Sequence, residues 1–179
     1  MTIKILSQNV ASKIAAGEVV ERPLSVVKEL MENAIDAQAS QIHIRVENAG
    51  QRLIQVEDNG IGIPQGEAGL ALQRYATSKI SKIDDLENIR TLGFRGEALA
   101  SIAAVSRFKL FSKTGQEAMG IQVESEGGEQ ARQEPAGLKD GTRIMVEDLF
   151  FNVPARRKFL KSENTERRSI TDLVARYAL

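Results

Sequence analysis

Five short stretches of this chain alternate apolar and polar residues with period two, and no other feature constrains the fold as tightly. In residues 41–47, Ile42, Ile44 and Val46 fall on one side, while Gln41, His43, Arg45 and Glu47 fall on the other, so His43 is expected to face solvent. Residues 53–58, 107–112, 119–124 and 142–147 follow the same rule. Such segments are half-buried strands, with one face against a core and the other in water. The turn ENAGQR joins the first two into a β-hairpin. Helical periodicity fills much of the remaining chain, so the expected class is α+β. The architecture is a two-layer sandwich, a mainly antiparallel sheet covered by helices.

The strongest helical segment is 23–37, PLSVVKELMENAIDA. Proline suits the first helical position, and Val26, Val27, Leu30, Met31, Ala34 and Ile35 form an apolar face. At roughly 100° per residue, Glu29, Asn33 and Asp36 form a narrow stripe on the opposite side. A solvated polar face is one reading of that stripe. A second is suggested by Asp36 in the last turn, where the helix dipole disfavours a negative charge, and by an asparagine, a poor helix former, between two acids. Two carboxylates and a carboxamide in line can hold a hard cation and activate water.

Parity also places Asp58 on the face of Ile54 and Val56, so a carboxylate points toward the core and needs donors from its own loop or from a ligand. An Asx-turn is the local way of supplying them. The run Asn59-Gly60-Ile61-Gly62-Ile63-Pro64 then lets backbone approach something closely. Its spacing, its proline and the preceding hairpin exclude a dinucleotide-binding fingerprint, and the chain contains no G-x-x-x-x-G-K-[ST] phosphate loop.

At 179 residues the chain can bury a full core, and 42% apolar with 27% charged residues is an ordinary globular composition. The 24 basic and 24 acidic residues cancel, so no global field argues for nucleic acid. With no cysteine and one histidine, thiol chemistry, cysteine-bound zinc and a serine–histidine triad are excluded as serious options unless His43 is the key residue. No apolar run approaches the roughly 20 residues of a membrane span, and the N-terminus lacks a signal-peptide core, which together suggest a cytosolic protein.

Along the chain, Val10, Ile14 and Ala15 suggest a short helix stopped near Gly17, and residues 67–75 suit another. A long polar segment follows and leads into Gly93-Phe94-Arg95-Gly96, then a small-residue helix from Glu97. Glycines before a helix start expose amides that bind anions, although an ordinary capped loop has the same pattern. A segment of this length is often a lid. The tail from Asn164 is helical, with Ile170, Leu173, Val174, Tyr177 and Ala178 on one face. It reaches Leu179 still apolar, as expected of a chain cut inside a larger protein.

The motifs IAAGEVVERP, KELMENAIDA, DNGIGI, RYATSK, LGFRGEALASI and NVPARRKFL stand in that order. Together they resemble the ATPase family that joins gyrase B subunits, heat-shock chaperones, sensor histidine kinases and MutL-type mismatch-repair proteins, with a close match to the last. The resemblance covers nearly the whole chain and is least distinct over 115–139 and beyond Arg157.

The resemblance implies an ATP-binding domain over residues 1–179, truncated before a second domain, with ATP and Mg²⁺ as cofactors. Glu29 would be the general base that activates water, and Asn33 the metal ligand. Asp58 would accept from the adenine amino group, with Gly62 allowing close approach and Thr142 fixing the same edge. Thr77, Ser78 and Lys79 would belong to the ATP lid. The amides of Gly93, Phe94, Arg95, Gly96, Glu97, Ala98 and Leu99 would hold the triphosphate. Each role suits phosphoryl transfer, in which positioning and charge stabilisation dominate.

The implied function is slow ATP hydrolysis that drives a conformational and dimerisation switch in DNA mismatch repair. The alternative is a nucleotide-gated binding module with little hydrolysis of its own. The implied partners are a second copy through ATP-ordered N-terminal regions, mismatched DNA and other repair proteins, in the cytoplasm at the nucleoid, with no membrane. In this family the second domain supplies a lysine to the terminal phosphate, so hydrolysis by this chain alone is expected to be impaired and its lid, residues 76–95, to be its most mobile part. Arg156, Arg157, Lys158 and Lys161 form a basic cluster that suits DNA, acidic partners or plain solvation.

Overall fold

All five alternating stretches become strands in the computed structural model, in which the described residues are 3–4, 8–79, 91–93 and 96–178. The strands are β1 (Ile42–Glu47), β2 (Leu53–Asp58), β3 (Arg107–Lys113), β4 (Gly120–Glu126), β5 (Arg132–Ala136) and β6 (Gly141–Glu147). They form one six-stranded sheet in the order β1-β2-β6-β3-β4-β5, with every neighbouring pair antiparallel. The last strand enters the middle, between the hairpin β1-β2 and the meander β3-β4-β5.

Ile54, Val56, Phe108, Leu110, Val123, Ile144 and Val146 make the dry face. The opposite face is polar: Lys109 Nζ stands 3.7 Å from carboxylate oxygens of both Glu124 and Glu147, and the Arg143 guanidinium lies 4.5 Å above the Phe111 ring. His43 is exposed, as its parity predicts.

Helices cover the dry face. They are α1 (Gln8–Val19), α2 (Pro23–Asp36), the single turn α3 (Gln65–Ala68), α4 (Ala98–Ala104), α5 (Pro154–Lys158) and α6 (Glu163–Tyr177). Proline opens α2, and its buried residues Val26, Val27, Leu30, Met31 and Ala34 reproduce the apolar face, packed on β2. Ile35 does not join them; it is 38% exposed, at the margin of the stripe.

Two buried carboxylates fasten α6 to this region. Glu166 is fully buried, and its Oε2 accepts from Arg22 Nε at 3.1 Å, while Arg22 Nη2 donates to Ser169 Oγ at 3.2 Å. Glu32, 6% exposed, accepts from Lys28 Nζ at 3.1 Å and from the Tyr177 hydroxyl at 2.6 Å. The hydrogen bond to Glu32, then burial and the charges of Glu32 and Glu29, push the Tyr177 phenol up to about 12, so it remains a donor at any ordinary pH. Ser162 caps α6 by accepting from the Thr165 amide.

Several expectations are corrected. α1 does not stop at Gly17 but runs through it, because the missing side chain makes room for Arg156: a Cβ there would lie 2.1 Å from the guanidinium. Arg156 then donates to the Val20 carbonyl at 3.2 Å, so one member of the basic cluster is a structural clamp. Residues 67–75 form no continuous helix; α3 gives way to a 3-10 turn at Leu70–Leu72. β5 and α5 were not expected from the sequence pattern.

Arg22→Ala should leave the Glu166 carboxylate buried without its cation. Removing one partner of a buried pair costs about 3–5 kcal/mol, and the partial exposure of Arg22 sets the expected loss near the lower bound. Urea denaturation measures it. A loss no larger than that of Arg168→Ala, where the side chain is 87% exposed, would show that this pair does not fasten α6.

Candidate functional site

The expected stripe on α2 is present, and a cation already stands against it. Lys79 Nζ donates to Asn33 Oδ1 at 3.0 Å and to Asp36 Oδ2 at 2.5 Å. Asp36 also accepts from the amides of Leu92 at 3.0 Å and Gly93 at 3.2 Å. Burial is the largest single influence on Asp36 and raises its carboxyl. The Lys79 hydrogen bond, both amides and the lysine charge together outweigh it and hold the carboxyl below its ordinary 3.8. Asp36, which the family resemblance gave no role, is therefore the post that ties both ends of the expected lid to α2. Glu29, half-buried one turn before Asn33, lies near enough for its charge to act on Tyr177.

The second part of the site lies where β2 ends. Asp58 pairs with Thr142 across β2–β6, so their side chains share a face. The Gly60 amide donates to Asp58 Oδ1 at 2.8 Å, the Asx-turn anticipated for this loop. Burial is the leading influence on this carboxyl and pushes it above 3.8. The amides of Gly60 and Thr142 oppose that rise without cancelling it, and the Glu57 charge adds to it. The loop's own donors thus leave a carboxylate under-solvated, the condition that favours an additional donor from outside.

Backbone contacts unite the two parts. The Ile61 amide donates to the Ala37 carbonyl at 3.0 Å, fixing the loop after Asp58 to the end of α2. Gly62 sits at φ +73°, and a Cβ there would meet the Lys113 carbonyl oxygen at 2.2 Å, so both conformation and space demand glycine. At the other side, Gly96 (φ +62°) accepts from the Tyr75 amide at 2.9 Å and brings the start of α4 beside the expected lid. Thr77 Oγ1 accepts from the Lys79 amide at 3.1 Å, and Ser78 is exposed. Glu97 precedes α4, whose first turn holds Ala98 and Leu99. Phe94, Arg95 and residues 80–90 lie outside the described residues, as does the expectation about lid mobility.

Among the described residues, no cluster of three or more His, Asp or Glu side chains could cage a metal ion by itself. The fit for a hard cation is nevertheless good at Asn33, whose amide oxygen already receives the Lys79 charge at 3.0 Å. A metal bound there would need oxygen ligands from a bound molecule. No described helix is long and apolar enough to cross a membrane. Sequence reasoning missed Ser112, which accepts from the Ile63 amide at 2.8 Å and lies 2.9 Å from Thr142 Oγ1. Its only sequence signal was a serine at a core-facing strand position.

Comparisons with known proteins identify the family and the fold. Residues 21–145 match the family model of histidine kinase-, DNA gyrase B- and HSP90-like ATPases. The DNA mismatch repair protein MutL of Acidobacterium capsulatum is 55% identical over 177 residues, covering 99% of this chain and 27% of that protein. The MutL of Pseudoalteromonas translucida is 56% identical over 180 residues, covering 100% of this chain and 29% of that protein. The chain therefore spans under a third of the length of these relatives. Among solved structures, the Aquifex aeolicus MutL ATPase domain complexed with ADP superposes with a TM-score of 0.69 at 41% identity, covering 89% of this chain and 56% of that one. The N-terminal domain of a DNA repair protein superposes with a TM-score of 0.72 at 28% identity, covering 92% of this chain and 46% of that one.

The Lys79–Asp36 pair makes a pH-dependent prediction. A carboxyl held below 3.8 in the folded state contributes stability that is present above 3.8 and lost as pH falls through its lowered value. Lys79→Met should therefore destabilise the protein at pH 7, and the gap from the parent should close as the medium is acidified below 3.8. Denaturation midpoints at both ends decide it; a gap of constant size would point to lost packing instead.

Proposed function

Since the chain belongs to the family of histidine kinase-, DNA gyrase B- and HSP90-like ATPases, we propose that it is the ATP-binding domain of a MutL-type DNA mismatch repair protein, where ATP binding and slow hydrolysis drive a conformational switch. One observation carries the reading. The Ile61–Ala37 bond ties the loop that follows Asp58, the cross-strand partner of Thr142, to the end of the helix that bears Glu29 and Asn33. In this reading, an acceptor suited to a purine amino group is thus tied to the helix that carries the metal ligand and the base.

In this reading Asp58 accepts from the adenine amino group, and Gly62 keeps the loop close to β3. The Asn33 amide oxygen would hold Mg²⁺, which supplies charge neutralisation to the phosphates when bound. Lys79, which donates to Asn33 here, would with Thr77 and Ser78 contact the phosphates. The amides of Gly93 and of Gly96 to Leu99 would hold the triphosphate at the start of α4. Glu29 orients water and takes its proton. In phosphoryl transfer the protein itself has little covalent chemistry to do, so positioning and charge stabilisation carry the catalysis.

The larger assembly follows as part of the proposal. The longer protein dimerises through N-terminal regions ordered by ATP, meets DNA and other repair proteins, and works in the cytoplasm at the nucleoid. Turnover by this chain, measured against the longer protein at equal concentration, tests whether these residues suffice for hydrolysis. Near-background turnover by the chain is expected, and matching rates would remove the need for a lysine from elsewhere.

Asp58→Ala removes the charged acceptor. A hydrogen bond to a charged group contributes about 1.5–3 kcal/mol, so ATP affinity should fall by about one to two decades, while GTP binds weakly to parent and variant alike. Equal ATP and GTP affinity for the parent by calorimetry would remove Asp58 from base recognition. Glu29→Ala in the longer protein should bind ATP with little change, whereas hydrolysis falls by about 10² to 10⁴. Lost binding, in place of lost turnover, would make Glu29 a structural or metal residue.

A further inference from the structure

Ser112, at the end of β3, is fully buried and has polar neighbours of three different kinds. The Ile63 amide can only donate to its Oγ, at 2.8 Å. The Gly141 carbonyl, 3.1 Å away, can only accept. Thr142 Oγ1, at 2.9 Å, can do either. A serine hydroxyl has one proton and two lone pairs, so the alternatives can be enumerated. If Ser112 gives its proton to Thr142, its lone pairs face the Gly141 carbonyl, and only two of the contacts become hydrogen bonds. If Ser112 gives its proton to Gly141, the Ile63 amide fills one lone pair and the Thr142 hydroxyl donates to the other. All three contacts are then satisfied. In a fully buried site the fully satisfied arrangement prevails.

We propose that Ser112 determines base specificity at one remove, by capturing the Thr142 proton and leaving Thr142 Oγ1 able only to accept. Thr142 is the direct cross-strand partner of Asp58, so a second acceptor is set beside that carboxylate on one face of the sheet. Two neighbouring acceptors fit a ligand group that carries two protons on one nitrogen. The six-amino group of adenine is such a group, reached directly or through one water, whereas a six-oxo purine presents a lone pair. Without Ser112, the Thr142 hydroxyl would be free to rotate and donate, and a six-oxo purine would be accommodated. Ser112 touches no base in this account; it is a positioning residue whose effect passes through Thr142.

The inference rests on the adenine-nucleotide reading above, and the test separates the two. Calorimetry with ATP and inosine triphosphate, which differ at position six of the base, gives an affinity ratio for the parent, Ser112→Ala, Thr142→Ala and the double variant. The ATP preference should fall about tenfold in either single variant, the size of one neutral hydrogen bond, and no further in the double. Thr142→Ser, which keeps the hydroxyl, should retain it. If Ser112→Ala does not fold, Ser112→Cys takes its place with the same expectation, since a thiol of similar size accepts only weakly. A preference that survives loss of Ser112, or that falls again when Ser112 is removed from the Thr142→Ala background, overturns the proposal. A parent with no preference for ATP overturns the adenine reading and this inference together, an outcome distinct from either.

Discussion

The rotation of α2 about its own axis is the constraint on which the remaining structure depends. Val26, Val27, Leu30, Met31 and Ala34 are each at most 4% exposed, and burying a large aliphatic side chain contributes about 1.5–3 kcal/mol. Turning the helix by one residue, roughly 100°, would lift part of that face into water and press Glu29 or Asn33 toward the core. Hydrophobic packing therefore sets the direction of the polar stripe far more firmly than any polar contact could. The site's geometry is a by-product of the core, and the loops need only meet a stripe whose position is already decided.

Around that stripe two aspartates are handled in opposite ways. Asp36 receives a lysine and two backbone amides, and its carboxyl falls below the ordinary value despite burial. Asp58 receives amides alone, and burial prevails. A carboxylate that is over-supplied with donors holds structure together, and one that is under-supplied stores a demand for a ligand. Lys79 serves two members of the stripe at once. Placed between Asn33 and Asp36, it satisfies the amide oxygen a metal would need, so the stripe does not carry its negative charge unneutralised.

Period-two alternation made most of the sheet legible in the sequence, because one face of each of those strands is dry. β5 escaped for the converse reason. It is an edge strand, its first four residues are exposed and Pro135 sits within it, so neither face imposes a pattern. α5 is too short for periodicity to register. Gly17 was misread as a stop because a glycine in a helical pattern signals either an end or a close approach. Only the position of Arg156, far along the chain, distinguishes the two. Asp58 was legible from parity, and Asp36 from its stripe. Ser112 was not, since its partners Ile63 and Thr142 lie 49 and 30 positions away and only the folded sheet brings them together. Glu32 and Glu166 hid for a related reason: buried acids look like surface acids until Lys28, Tyr177 and Arg22 are in place.

Those hidden acids explain how a helix with so many charges can lie partly against a core. Going along α2, Lys28 and Tyr177 satisfy Glu32 on the side toward α6, while Lys79 and the amides of Leu92 and Gly93 satisfy Asp36 on the side toward the expected lid. Each cluster recruits its donors from a different element, so neither can form until that element has docked. Glu29 precedes both in sequence, less than a turn from Glu32 and nearly two turns from Asp36. Its charge acts on the Tyr177 phenol, which stays protonated up to about 12, so the docking of α6 that satisfies Glu32 also brings a protonated donor into the reach of the Glu29 charge.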